Sequence, residues 1–333
     1  LTKNNDMKIV IKHNHQPEPP PEKRIILHRP GEAHHSLDPQ AKDMPATGGE
    51  VVDGRVPHVM RFPCEVTDWA REQHRAGKRI GFVPTMGYLH AGHLSLVEEA
   101  KKQTDAVCLS IFVNPTQFGP AEDFEKYPRD EASDLKMCHD VGVGAVFLPS
   151  PDQMYAPDAS VVVDEHKLQY GLCGLRRPGH FRGVCTVVAK LFNIVQPDVA
   201  VFGQKDYQQV AIIRRMVRDL NFPVDIVMAP TLREPDGLAM SSRNVYLSAE
   251  ERERALGLSS ALRSLGSVGA GHPAAESMRE QMRSVLARYD LTEDYIAIVD
   301  ADTLEPVTHV EPGNVALIAA YCGKTRLIDN RIL

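Results

Sequence analysis

No stretch of the 333-residue chain approaches the roughly 18 to 20 consecutive apolar residues that a bilayer-spanning helix needs, so none is expected. The N-terminus is polar and lacks the apolar core of a secretory signal. An excess of positive charge is also missing. Lys and Arg total 38 against 44 Asp and Glu, a net charge of −6, which argues against a protein that coats nucleic acid. The six cysteines, at 64, 108, 138, 173, 185 and 322, form no C-x-x-C, so neither a zinc ribbon nor a redox pair is indicated. Cys108 and Cys185 lie in apolar runs and read as buried, reduced thiols, in keeping with a reducing cytoplasm. There is no G-x-x-x-x-G-K-[ST], no G-x-G-x-x-G, no H-E-x-x-H and no acid-rich metal loop, which removes the commonest phosphate-binding loops and a resident metal centre from the expectations.

What is present is close to globular averages, with 43% hydrophobic and 25% charged residues. The length suggests about two domains. Residues 1–59 differ from the rest: they hold no Phe, Tyr or Trp, yet carry eight of the 24 prolines and six of the 14 histidines. Pro17-Glu18-Pro19-Pro20-Pro21 suits neither a helix nor a central strand. Such a segment buries too little apolar surface to offset its ordering entropy and is expected to be mostly disordered. Its pairs His13/His15 and His34/His35 read as a solvated tail before they read as metal ligands. Met60 stands just before the first periodic segment, so residues 1–59 are also compatible with a mis-assigned start, a hypothesis that intact-mass analysis would reject by finding them.

From residue 60 onward strands and helices alternate. Residues 66–76 read as a helix, 79–83 as a strand, and 93–102 as a helix. Continuous apolar runs at 106–113, 143–148 and 199–202 fit strands buried on both faces of a parallel sheet. Val184, Val187, Val188, Leu191 and Val195 space a helix, residues 207–220 another, and 224–228 a further strand. Together they predict a doubly wound, Rossmann-like parallel sheet over 60–231. Beyond Pro230 the pattern changes. Ser248-Ala249-Glu250-Glu251 is a capping box opening a helix to about 265. A second helix over 274–289 and short strands at 295–299, 315–321 and 326–333 follow, with a Gly/Pro/Ser-rich loop at 264–273. Residues 232–333 are therefore expected to form a smaller α+β domain.

Three predicted strands run into conspicuous polar motifs, and ligands of such sheets bind beyond the carboxyl ends of the strands. The first motif is Pro84-Thr85-Met86-Gly87-Tyr88-Leu89-His90-Ala91-Gly92-His93. Its two imidazoles lie about one helical turn apart, at a helix N-terminus whose free N–H groups attract phosphate. Gly92 lets a bulky group approach the backbone. Imidazoles there can donate hydrogen bonds to a phosphate whose charge grows in a transition state; alone, the pair could equally be surface histidines capping a helix. The second motif is Asn114-Pro115-Thr116-Gln117-Phe118-Gly119, and the third is Gly203-Gln204-Lys205-Asp206-Tyr207-Gln208-Gln209, whose Lys205 can neutralise phosphate oxygens. Ala239-Met240-Ser241-Ser242-Arg243-Asn244 gathers hydroxyls and a guanidinium suited to a triphosphate. Leu172 to Phe181 brings Arg176 and Arg177 in front of a helix, as a substrate cover or a basic connector. A metal is then expected as Mg²⁺ on the nucleotide, held mainly by its phosphates.

In these motifs, in this order and from about Met60 to the C-terminus, the chain resembles the pantoate–β-alanine ligase (pantothenate synthetase) family of His-x-Gly-His nucleotidyltransferases. The carriers are residues 81–87 (GFVPTMG), 111–118 (IFVNPTQF), 177–181 (RPGHF), 202–209 (FGQKDYQQ) and 240–244 (MSSRN). The resemblance implies a ligase that adenylates the pantoate carboxylate with ATP, releasing pyrophosphate, and then transfers the pantoyl group to the amine of β-alanine, releasing AMP. It implies catalytic roles for His90, His93, Lys205 and Arg243, with His93 as proton donor. It places ATP against Met86, Gly87, His90, Gly92, His93, Gly203, Gln204, Lys205, Asp206, Leu232, Met240, Ser241, Ser242 and Arg243. Gln117 and Gln209 would hold pantoate, with Gln117 also near β-alanine; Asn114 would shape that pocket and Arg177 would belong to a covering loop. A cytoplasmic homodimer without nucleic-acid or membrane partners is implied as well. Two departures stand out. The second signature, Met-Ser-Ser-Arg, lacks the lysines of the tRNA-charging relatives, and residues 1–59 have no family counterpart. The competing readings are another nucleotidyltransferase, which would make a stable nucleotide-containing product, and a catalytically dead nucleotide sensor, which should have lost His90, His93, Lys205 or Gln209.

Overall fold

The computed structural model describes residues 57–333 apart from 121 and 267–271; the expectations for residues 1–56 and for most of the loop at 264–273 lie outside the described residues. The chain runs β1 (His58–Met60), α1 (Pro63–Arg75), β2 (Ile80–Thr85), α2 (Ala91–Lys101), β3 (Ala106–Ile111), α3 (Glu131–Asp140), β4 (Ala145–Phe147), α4 (Pro151–Met154), α5 (Leu172–Arg176), α6 (His180–Val195), β5 (Val199–Gly203), α7 (Tyr207–Leu220) and β6 (Asp225–Ala229). After these come α8 (Ala249–Ser264), α9 (Ala275–Arg288), β7 (Thr292–Val299), β8 (Val315–Cys322) and β9 (Thr325–Ile332).

The first six strands form one parallel sheet in the order β1-β4-β3-β2-β5-β6. Successive strand residues face opposite sides, and both sides are apolar. Ile80, Phe82, Ala200 and Phe202 join one core with Val66, Val184, Leu191 and Ile213 from α1, α6 and α7. Val83, Val199 and Val201 join another with Leu96 and Val97 of α2 and Cys138 of α3. Helices on both faces explain why the strand sequences read as unbroken apolar runs. The small antiparallel sheet, β7-β8-β9, is also covered twice. Ala316, Ile318 and Ala320 of β8 meet Leu258, Leu262 and Met282 of α8 and α9, whereas Val315 and Leu317 belong to the core that holds Phe202 and Tyr207.

Four elements escape the sequence reading, β1, α3 and the short α4 and α5, and one boundary needs correction. β1 begins at His58 and pairs His58 with Ala145, so a division at 59/60 cuts a strand; three residues are too few for periodicity to register. Helix α3 has a short apolar stripe and is recognisable mainly by its cap, Asp130, which accepts from the Ser133 N–H at 3.0 Å. Helix α1 starts at Pro63, three residues earlier than expected, because proline is accepted in a first helical turn.

Candidate active site

The strand order reverses at β2. The chain steps outward through β3 and β4 on one side, then returns to lay β5 and β6 on the other. The carboxyl ends of β2 and β5 therefore flank a crevice, where open α/β sheets bind ligands. Two adjoining cavities of about 210 and 570 Å³ open there, sharing Lys205, Asp206, Gln209, Ser241 and Arg243 as lining.

The loop after β2 enters α2 through His90, the N-cap residue. The His90 Nδ1 accepts from the Gly92 N–H at 3.1 Å, and the His90 N–H donates to the His93 Nδ1 at 3.3 Å. The two imidazoles thus form a reciprocal cap, their ring centroids 4.0 Å apart. A backbone N–H can only donate, so both Nδ1 atoms are unprotonated and each neutral ring carries its hydrogen on Nε2. Burial, aided by the nearby Lys205 charge, lowers the His90 pKa to about 4. Burial, then His90 and Lys205, lowers that of His93 to about 3. The histidines cap the helix and also line the smaller cavity, so the two readings of the motif are compatible. A Cβ on Gly92 would stand 2.8 Å from the His90 Cε1, which is the packing reason for glycine there.

The approach to this helix is held from α3. The buried Asp134 carboxylate accepts from the N–H groups of Tyr88 at 2.8 Å and Leu89 at 2.7 Å. Gly87 turns the chain with φ +80°, and a Cβ there would meet an Asp134 oxygen at 2.9 Å. Ser242 ties in the opposite side by donating to the Tyr88 carbonyl at 3.2 Å.

Beyond β3, the buried Asn114 donates to the Gln117 Oε1 at 3.1 Å and to the Gly183 carbonyl at 3.2 Å. Its oxygen accepts from the Tyr155 hydroxyl at 2.8 Å. Asn114 is thus saturated by protein, and its effect is to orient Gln117, whose Nε2 faces the Met86 sulfur at 3.2 Å. Both Gln117 and Asn114 line the smaller cavity, as do Met86, Gly92, Gly203, Leu232, Met240 and Ser242.

The cations are paired. The Lys205 Nζ lies 3.1 Å from the Asp206 carboxylate. Burial pushes that carboxyl up, but Lys205, Arg243 and His180 outweigh it and hold it below the usual carboxylate range. Arg243 makes a two-pronged contact to Asp123, both bonds 3.0 Å, above the Tyr127 ring. Arg177 does the same to Glu122, both bonds 2.7 Å, and also meets the His180 Nε2 at 2.9 Å. The His180 Nδ1 is 2.8 Å from the Gln117 carbonyl, and burial together with Arg177 lowers its pKa to about 4. Adjacent carboxylates in one loop therefore hold two guanidiniums from distant segments.

Of the residues singled out from sequence, most meet at this crevice. Arg177 lines only the larger cavity, whereas Gly87 and Gln204 line neither. Gly87 works through the turn, and Gln204 directs its amide to Asn330 at 3.1 Å. Glu122, Asp123, Tyr127, Asp134 and His180 are functional groups that the sequence motifs do not single out. The adjacent acids Glu122-Asp123 were a visible signal; Asp134 had none beyond its place in a helix with a weak apolar stripe.

Comparisons with known proteins identify the family. The sequence profile of the pantoate–beta-alanine ligase family matches residues 58–332. Pantothenate synthetase of Thermotoga petrophila is 54% identical over 271 residues, 81% of this chain and 97% of that protein. That of Myxococcus xanthus is 50% identical over 278 residues, 82% of this chain and 95% of that protein. The crystal structure of the Thermus thermophilus pantothenate synthetase superposes with a TM-score of 0.77 at 43% identity, covering 83% of this chain and 99% of that one. The Francisella tularensis pantoate–beta-alanine ligase, solved in complex with beta-gamma ATP and beta-alanine, gives 0.69 at 32% identity, covering 83% and 97%. On the profile match and these identities, the chain belongs to the pantoate–β-alanine ligase family.

Proposed function

We propose that this ligase, which joins pantoate to β-alanine with ATP to make pantothenate, carries out both half-reactions at the β2/β5 crevice. The observation that carries the reading is the pair of neutral imidazoles on a helix N-terminus opposite Lys205. A carboxylate is a poor acylating agent, and transfer to the α-phosphate of ATP gives it AMP as a leaving group. Holding the two reactants in line can contribute roughly 7–11 kcal/mol. The remaining work is stabilising charge at phosphorus. The Nε2–H groups of His90 and His93 suit that as hydrogen-bond donors, and a ring with a pKa of about 3 donates as a neutral group rather than as an imidazolium acid. Lys205 and Arg243 face the phosphates as cations, with Met86, Gly203, Asp206, Leu232, Met240, Ser241 and Ser242 around the nucleotide. Gln117, oriented by Asn114, and Gln209 bind pantoate, and Gln117 borders the β-alanine position.

ATP enters as its Mg²⁺ complex, the ion carried largely by phosphate oxygens. Residues 232–333 act as the unit that covers the nucleotide, a division supported by the change from parallel to antiparallel sheet after β6. A cytoplasmic homodimer rests on the family resemblance, and light scattering on the eluting protein tests the dimer. Among the described residues no helix is long and apolar enough to cross a membrane. The first test is pantoate-dependent exchange of labelled pyrophosphate into ATP with β-alanine omitted. Exchange is expected because the acyl adenylate forms reversibly. Its absence in folded, ATP-binding protein would overturn the adenylate route.

A further inference from the structure

Lys205 sits in a three-residue 3₁₀ turn, Gln204–Asp206, between β5 and α7. So short a turn has little intrinsic stability and leaves carbonyls without intrahelical partners. Here those carbonyls are satisfied from the far end of the chain. Asn330 of β9, 3% exposed, donates one amide hydrogen to the Gln204 carbonyl at 2.8 Å and the other to the Lys205 carbonyl at 2.9 Å. Its Oδ1 accepts from the Gln204 Nε2 at 3.1 Å. Both hydrogens of the amide and one acceptor site are therefore committed to the turn. The flanking Asp329 secures the other phosphate-facing segment. Its carboxylate takes both Nη atoms of Arg233, at 2.7 and 2.9 Å, and Arg233 pairs with Ala239 at the base of the hairpin leading into Met240–Arg243.

We propose that Asn330 is a positioning residue for the adenylation step: by holding the two carbonyls of the Gln204–Lys205 turn, it fixes where the Lys205 ammonium meets the nucleotide phosphates. The inference rests on the reading of Lys205 as a phosphate-facing cation. No side chain other than an amide of this length supplies two donors and an acceptor in that plane. Asp at 330 would keep the shape but set a carboxylate against two carbonyl oxygens.

The test is a double-mutant cycle on pyrophosphate exchange in the full-length enzyme, with rates normalised to folded protein from melting amplitudes. Asn330→Ala should lower the maximal exchange rate by about 10- to 100-fold, the scale of a displaced catalytic group, while the pantoate concentration for half-saturation changes less than about twofold. In a Lys205→Ala background, the same substitution should remove less than about threefold more, because residues that act through one another are not additive. Asn330→Ser, which keeps one donor, is measured beside it and should fall between wild type and Asn330→Ala, so that a poorly folding alanine variant does not end the test. If Lys205→Ala exchanges at the wild-type rate, the reading of Lys205 fails and the inference with it. If Lys205→Ala is impaired but the Asn330 variants are not, or their losses multiply in full with that of Lys205→Ala, Asn330 is a structural residue only and the inference is overturned.

Discussion

The two loops that flank the crevice reach their conformations by opposite means. The loop after β2 is held locally: His90 and His93 cap the helix they begin, within four residues, with Asp134 as an outside brace. The loop after β5 has no cap of its own, since neither Gly203 nor Asp206 makes a side-chain cap bond. It depends on Asn330, 126 positions from Gln204. The histidine loop can therefore be argued from a short stretch of sequence, whereas the lysine loop is correct only once the last strand has been added to its sheet. Damage to the first should act on its own donors; damage to the second can come from the other end of the chain.

The sharpest way to break this comparison is to remove a histidine. We expect His93→Ala to lower exchange by about 10² or more, as loss of a transition-state donor does, with β9 undisturbed; near-wild-type turnover would remove its role. Next comes Gly92→Ala, whose added carbon collides with the His90 ring at 2.8 Å. An exchange rate about tenfold lower is expected from misplaced donors, and an unchanged rate would show that the reciprocal cap does not set the donor positions. Gln209→Ala should act on the substrate side, raising the pantoate concentration for half-saturation by about tenfold while changing the maximal rate little, the signature of lost uniform binding. Unaltered saturation would place pantoate elsewhere.

Two smaller effects concern protons. At pH 6 an ordinary imidazole is about three-quarters protonated, but His90 and His93, with pKa values lowered to about 4 and 3, should remain neutral with the hydrogen on Nε2. Imidazole ¹⁵N shifts read this directly, and imidazolium shifts at pH 6 would contradict the cap. Stability follows the same sign. The unfolded chain binds protons near pH 6.5 while the folded histidines, His180 included, resist them until about pH 4. Their contribution is therefore complete above about 6.5 and declines as pH falls toward 4. Urea midpoints should drop between pH 7 and about 5.5, before the carboxylates of the unfolded chain begin to bind protons. A level midpoint across that window would show that these rings are not buried neutral.

Much of this is legible in the sequence. Apolar runs such as Ala106–Ile111 and Val199–Gly203 announce strands because both sheet faces are covered. The Ser248 box announces α8, and the structure has it, with the Glu251 N–H bonded to the Ser248 Oγ at 3.1 Å. The motifs beyond β2, β3 and β5 stand out because each follows a strand end. Misses occurred where the signal is short or distant. Three-residue β1 carries no period, α3 is marked by little more than its cap, and Asp123, Glu122 and Asp134 matter through partners 120, 55 and 46 positions away.

Sequence alone thus determined the class of the sheet and most of its elements, because periodicity and caps are properties of neighbouring residues, and it carried the family chemistry through the resemblance of its motifs. Tertiary structure alone decided which groups share a site and in what state. The strand order brings β2 beside β5, burial makes the histidines neutral donors, carboxylates of one loop hold Arg177 and Arg243, and Asn330 closes on the Lys205 turn. Each of these depends on distance and dielectric between residues far apart in the chain, and these exist only after the chain has folded.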